Sequence, residues 1–293
     1  MSDDRDSRPR LVSDGRTGER RLASDGRASE RRLVADIRSA YQDAAEGWAT
    51  GPAALYRRLA DVLVGAASED LEGQRVLDLG AGTGVASEVL AAVGARPVGF
   101  DIAHAMLTHR QAERPPGVVG DAAALPFTGD AFDAIVAAFC LNHVPDPPAA
   151  LAECRRVTRA EGFVLASTFP SGADHPAKAA VESVLERFGY RRPDWYATFK
   201  TSIADRTGAS DALVDAATTA GLADVGVECV EVDAGLHDPA MAVTWRLNMP
   251  HTVGFVAGLD AADREALRAR AVAAMPAGLP SSVLMLVLRA RVP

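Results

Sequence analysis

The chain is almost without lysine: Lys178 and Lys200 are its only two in 293 residues, and every other basic side chain is an arginine. That skew reads as genome composition rather than as chemistry. An excess of positive charge is missing too, since the formal net charge is −8. A surface of that sign repels phosphate backbones unless a local basic patch overrides it. The richest arginine cluster, in the first 38 residues, is interleaved with Asp and Glu, which disfavours a nucleic-acid partner. Cysteine is scarce. Cys140, Cys154 and Cys229 show no CxxC and no Cys/His ligand spacing, so no metal site is expected and the thiols read as buried small hydrophobes. No apolar run is long enough to span a bilayer and no signal peptide is evident, so the expectation is a cytoplasmic chain with no membrane partner.

What is present is ordinary for a globular core: 48% hydrophobic and 24% charged residues. A length of 293 residues allows one large α/β domain with insertions or two small ones. Residues 1–35 stand apart. They carry a loose repeat (Leu11–Arg16, Leu22–Arg27, Leu33–Asp36) and few large apolar residues, which predicts a disordered or partner-bound arm. Helical spacing follows in Ile37, Tyr41, Ala45 and Trp48, and again in Leu55, Leu59, Val62 and Leu63, with Gly51-Pro52 between. Residues 36–72 are therefore read as two helices ahead of the main domain, 73–293.

From Arg75 short apolar runs at 75–79, 97–100, 117–119, 133–139 and 163–169 alternate with helical stretches at 84–93, 103–112 and 147–158. A further helix is expected over 209–221, and strands over 225–232 and 282–291. Alternating strands and helices predict a mostly parallel sheet with helices on both faces. Two stretches, about 171–205 and 236–280, are too long for simple connections, and such insertions at strand ends tend to carry binding sites.

Three segments carry the chemistry. In Val76-Leu77-Asp78-Leu79-Gly80-Ala81-Gly82-Thr83-Gly84 a buried strand runs into a glycine-rich turn that opens a helix. Glycine there permits close ligand approach. Val85 stands where the dinucleotide fingerprint has its third glycine, which counts against a nicotinamide site. Asp101, ending the next strand about 20 residues on, can accept from both hydroxyls of a ribose; Ile102 and Met106 can flank an adenine, and helix capping is a second role for the carboxylate. Gly120-Asp121 follows the third strand, and Asp121 can accept from an exocyclic adenine amine. All three segments fall at the C-terminal ends of consecutive strands.

With these pieces the stretch from about 74 to 169 resembles the class I S-adenosylmethionine (SAM)-dependent methyltransferases, in particular the ubiquinone/menaquinone-type group. Leu125-Pro126-Phe127, Phe132-Asp133, Leu141-Asn142-His143-Val144-Pro145-Asp146 and Glu153-Cys154-Arg155-Arg156-Val157 add to the match. The resemblance implies a Rossmann-like fold of seven strands with an N-terminal helical lid and cap insertions, and SAM as cofactor. It implies that Gly80, Ala81 and Gly82 approach the methionine portion, Asp101 the ribose, Asp121 and Ala122 the adenine, and that Phe139 lines the sulfonium side. Tyr41 is the candidate lid residue, with Trp48 behind it in a packing role, and Asn142 a candidate contact. His143 would lie near the methyl group, in a structural or a catalytic role.

The insertions hold Tyr190, Trp195, Tyr196, Phe199, Trp245 and Phe255, and His175, His237 and His251. Aromatic walls with a few polar groups suit a cap over a small-molecule acceptor, with His251 and Tyr196 facing it. The layout resembles actinobacterial natural-product methyltransferases. Three readings stay open on one cofactor site: methyl transfer to a small natural-product acceptor, a cyclisation or rearrangement without methyl transfer, and a non-catalytic SAM-binding partner. A homo-oligomer is left open.

Overall fold

The computed structural model describes residues 15–293. Its core is a seven-stranded sheet, and the alternation of side chains along each central strand dictates what covers it. The strands are β1 (Arg75–Leu79), β2 (Arg96–Asp101), β3 (Gly117–Val119), β4 (Phe132–Ala138), β5 (Thr158–Thr168), β6 (Ala223–Asp233) and β7 (Ser282–Arg291). Val76, Ala134, Val136, Phe163, Leu165, Met285 and Val287 belong to one buried cluster. Their neighbours Leu77, Ile135, Ala137, Val164, Ala166, Leu286 and Leu288 belong to another. A period of two sends alternate residues to opposite faces, so strands apolar on both faces need helices on both.

On the first face lie helices α2 (Pro52–Gly65) and α3 (Val85–Ala92), which contribute Leu55, Leu59, Leu63, Val89 and Leu90. On the second lie α5 (Pro147–Val157) and α8 (Ser210–Thr219), with Leu151, Cys154 and Leu213. The strand order is β3-β2-β1-β4-β5-β7-β6. Neighbours are parallel from β3 to β5, while β7 runs antiparallel to both β5 and β6. The fold is α/β and Rossmann-like, as expected. Chain order reverses between β1 and β4, and ligands of such sheets bind beyond the strand C-termini at that reversal.

Two elements differ from the sequence reading. The helix expected over 103–112 is only α4 (His104–Thr108), followed by a 3-10 turn at Gln111–Glu113. His109 is extended and Arg110 takes a left-handed φ of 49°, which interrupts the helix before Pro115-Pro116. Strand β5 begins at Thr158, five residues early, where the pairing with β4 shifts register between Phe132 and Ala134.

The arm also differs. Helix α1 runs unbroken over Gly15–Thr50, so the described part of the expected arm is helical, and residues 1–14 lie outside the described residues. Burial explains the extension from Glu30 onward: Leu33 and Ile37, one turn apart, pack on Phe199 and Ile203, and Glu30 pairs with Arg206 at 3.0 Å. Charged composition hid a two-residue apolar stripe.

The first insertion forms α6 (Pro176–Arg187) and α7 (Asp194–Ser202), and the second forms α9 (Pro239–Leu247), α10 (Val253–Gly258) and α11 (Ala261–Ala273). Val181, Val184 and Leu185 of the first pack with Val243, Leu247, Val256 and Leu267 of the second. Two segments far apart in sequence thus share one small core above the strand ends. Among the described residues no helix is long and apolar enough to cross a membrane.

Candidate active site

The turn after β1 is shaped by conformations only glycine adopts without strain. Gly80, Gly82 and Gly84 have φ of 76°, 53° and 93°. A Cβ on Gly80 would stand 2.7 Å from Cβ of Cys140, and one on Gly82 3.5 Å from Cε of Met106. Gly84 caps α3, and a Cβ there would press into the Arg114 guanidinium. That guanidinium in turn donates to the carbonyls of Met106 (2.7 Å) and Gly82 (3.0 Å), bracing the turn against α4.

Asp101 ends β2 and faces the same turn. Its Oδ2 accepts from Gly82 N–H and its Oδ1 from Ala103 N–H, both at 2.8 Å. Burial raises its pKa, while the backbone donors at Ala103 and Gly82 and the Arg114 charge oppose that shift. Each oxygen keeps a lone pair for a ligand hydroxyl. Asp121 accepts from Ala123 N–H at 2.9 Å and is exposed along the rim.

Phe139 follows β4 with a left-handed φ of 55°, a strained setting for an aromatic residue. Its amide donates to the Ser167 carbonyl at 3.1 Å, and its ring meets Tyr56 and Phe169 at centroid distances of 5.2 and 4.4 Å. Four residues on, His143 connects three elements. Its Nε2 lies 3.2 Å from Tyr41 Oη of α1, and its ring stacks on Phe199 of α7 at 4.7 Å. Nδ1 is buried without a partner. Burial pushes the His143 pKa down to about 4, so the ring is neutral at pH 7.

At the far end Tyr196 stacks on His251, with centroids 3.8 Å apart and planes 6° from parallel. His251 Nε2 lies 3.1 Å from Arg246 Nη2. Burial first, then the charges of Arg246, Arg192 and Lys200, push the His251 pKa down to about 2.

These parts line one cavity of about 730 Å³. Gly80, Gly82, Asp101, Ile102, Met106, Asp121, Ala122 and Phe139 stand at its walls, as do Tyr41, Trp48, Asn142, His143, Tyr196 and His251. Ala81 does not. Its methyl turns toward Gly99 of β2, and its amide donates to Phe100 O at 2.9 Å, so side-chain contact with the cavity is closed to it. Trp48, expected to be packing, lines the cavity and meets Tyr41 and Tyr56 at 5.7 and 4.8 Å.

Other expected residues lie elsewhere. His175 caps α6 through Nδ1 and meets Pro280 O at 2.9 Å; His237 pairs with Ser281; Tyr190 donates to His251 O, and Phe255 packs on Tyr190. Of the thiols, Cys154 is buried, Cys140 half-buried and Cys229 exposed, so the expectation of three buried cysteines fails at Cys229, which lies on the poorly covered strand β6.

Sequence reading passed over Asp78, Arg114, Tyr56, Phe169, Lys178 and Arg246. Asp78, within the glycine motif, is wholly buried; its Oδ2 accepts from Ser87 Oγ at 2.5 Å and its Oδ1 has no partner. Burial raises its pKa to about 6. The signal for Asp78 was its place in the motif, whereas nothing local marked Arg246.

Sheet order, the glycine turn and the two acids bring Gly80, Gly82, Asp101 and Asp121 to one cavity at the strand ends of an α/β domain. Residues 77–166 match the family model described as a methyltransferase domain. The chain is 39% identical over 134 residues to the demethylmenaquinone methyltransferase of Renibacterium salmoninarum, covering 45% of this chain and 55% of that one. It is 41% identical over 116 residues to the enzyme of that name from Mycolicibacterium paratuberculosis, covering 40% and 49%. The chain thus spans about half the length of the curated relatives it matches. Among solved structures, a candidate methyltransferase from an antibiotic biosynthesis pathway of Anabaena variabilis superposes with a TM-score of 0.55 at 15% identity, covering 79% of this chain and 96% of that one. The Haemonchus contortus phosphoethanolamine N-methyltransferase 2, in complex with phosphomonomethylethanolamine and S-adenosylhomocysteine, gives 0.50 at 18% identity, covering 80% and 52%. Residues 77–166 thus match a methyltransferase domain, on a fold shared with these solved methyltransferases.

Proposed function

We propose that the protein transfers a methyl group from SAM to a small organic acceptor of the natural-product kind, enclosed beneath the helices of the two insertions. One observation carries this reading: a single cavity joins the Gly80–Gly82 turn and Asp101 to the aromatic pocket around Tyr196 and His251. The cradle left by Gly80 and Gly82, the carboxylate of Asp101 and the unpartnered Oδ1 of Asn142 fit a cofactor with a ribose and polar methionine end. SAM, when bound, supplies an electrophilic methyl group open to in-line displacement.

What the chain supplies is position and dryness. Tyr41, Trp48, Phe139 and Phe199 form apolar walls, and a water-poor pocket that orients the acceptor can supply much of the acceleration. His143 and His251 have pKa values too low for an efficient base near pH 7. Their proposed role is positioning: His143 holds Tyr41 and Phe199, and His251 supports Tyr196.

A demethylated quinone is the second acceptor reading, favoured by the names of the relatives. Incubation with methyl-labelled SAM and extracts of the source cell tests both. Label in a small molecule outside the lipid-quinone fraction supports the first reading, and label in the lipid-quinone fraction the second. Bound SAM with no labelled product from either fraction contradicts methyl transfer.

A further inference from the structure

The acceptor end of the cavity holds a buried cation without a counter-ion. Arg246, in the last turn of α9, is 8% exposed and lines the cavity. Among the described residues no carboxylate lies within ion-pair distance of it, although the chain as a whole is acidic. Its contacts hold it in place without neutralising it. One Nη meets His251 Nε2, and the guanidinium carbon sits 5.1 Å from the centre of the Trp245 ring. Among the described residues His251 is the one hydrogen-bond partner of the guanidinium, and the side chain lines the cavity.

Two more cations share this end. Lys178, mostly buried, reaches Asp174 at 3.0 Å and stands 5.9 Å from the Phe169 ring centre, and Lys200 lines the same wall. They are the chain's only two lysines. Among the described residues Asp174 is the carboxylate that pairs with Lys178, and it is largely in solvent. The acids at the opposite end, Asp101 and Asp121, are occupied with backbone donors beside the glycine turn and β3.

An arginine taken from water without a partner is costly. Its planar fork matches a carboxylate in two parallel hydrogen bonds. We propose that Arg246, supported by Lys178, is an anion clamp, and that the acceptor is a flat, apolar molecule bearing a carboxylate. The Tyr196–His251 stack and the Phe169 ring supply the apolar faces, and neutral His251 fixes the guanidinium without competing for the anion. The inference rests on the acceptor lying in this cavity, as the proposed function has it.

The test uses the full chain saturated with S-adenosylhomocysteine and a panel of planar aromatic carboxylates, cinnamate and indole-3-acetate among them, each paired with its neutral amide. Calorimetry on the wild type should give carboxylate affinities at least about tenfold above those of the amides, as a charge-assisted pair requires. Arg246→Gln should erase the preference, and Arg246→Lys should recover part of it. Equal affinity for acid and amide throughout the panel, or a preference that survives in Arg246→Gln, overturns the clamp. S-adenosylhomocysteine binding is scored separately, so failure of the cofactor reading shows in that titration alone.

Discussion

Tyr41 Oη lies 3.2 Å from His143 Nε2, joining the long N-terminal helix to the turn after β4. Both groups are desolvated: burial raises the Tyr41 pKa well above its ordinary value and lowers that of His143. Removing one partner strands the other, while removing both does not. Tyr41→Phe and His143→Phe should each cost about 1 kcal/mol or more, and the double variant less than their sum by about 1 kcal/mol. Urea denaturation of the four proteins measures that coupling, and strict additivity would show the contact to be idle.

His251 makes acid stability a readout of the pocket beneath the two insertions. Its folded pKa lies near 2, below the ordinary histidine value of 6.5. Above pH 6.5 both states are neutral and the group is silent; below it the unfolded chain takes up a proton that the folded chain refuses. Stability is therefore lost as pH falls from 6.5, at up to about 1.4 kcal/mol per pH unit from this group. His251→Asn should flatten the profile between pH 6.5 and 5 by that slope. Parallel urea midpoints for the two proteins would refute the burial of a neutral imidazole.

Asp78 runs the opposite way. Its folded pKa is raised from 3.8 to about 6, so its contribution to stability declines as pH rises through that window and is lowest above 6. Asp78→Asn should be the more stable protein at pH 7.5, by about 1–3 kcal/mol, with the advantage gone by pH 4. Melting curves across that range check it; a variant weaker at pH 7.5 than at pH 5 contradicts the assignment.

The glycine-turn half of this cavity was legible because its residues are local to one another. Gly80, Gly82 and Asp101 fall at the ends of consecutive parallel strands, and strand period and glycine spacing are enough to bring them together. The half beneath the two insertions was not. Tyr196 and His251 are stacked but 55 residues apart in sequence, brought together by a core shared between two insertions that neither segment reveals alone. Arg246 sits in an apolar helix whose spacing says nothing of the missing counter-ion. The stretch of α1 around Leu33 and Ile37 was hidden by charge, since these two buried residues lie within a long polar run.

The account stands or falls on the cofactor end. Titration of S-adenosylhomocysteine into the wild type and Asp101→Ala by calorimetry addresses it directly. The wild type should bind one equivalent, and the variant at least about tenfold more weakly through loss of the ribose acceptor and of its hold on Gly82. No binding to the wild type, or equal binding to both proteins, would contradict the assignment.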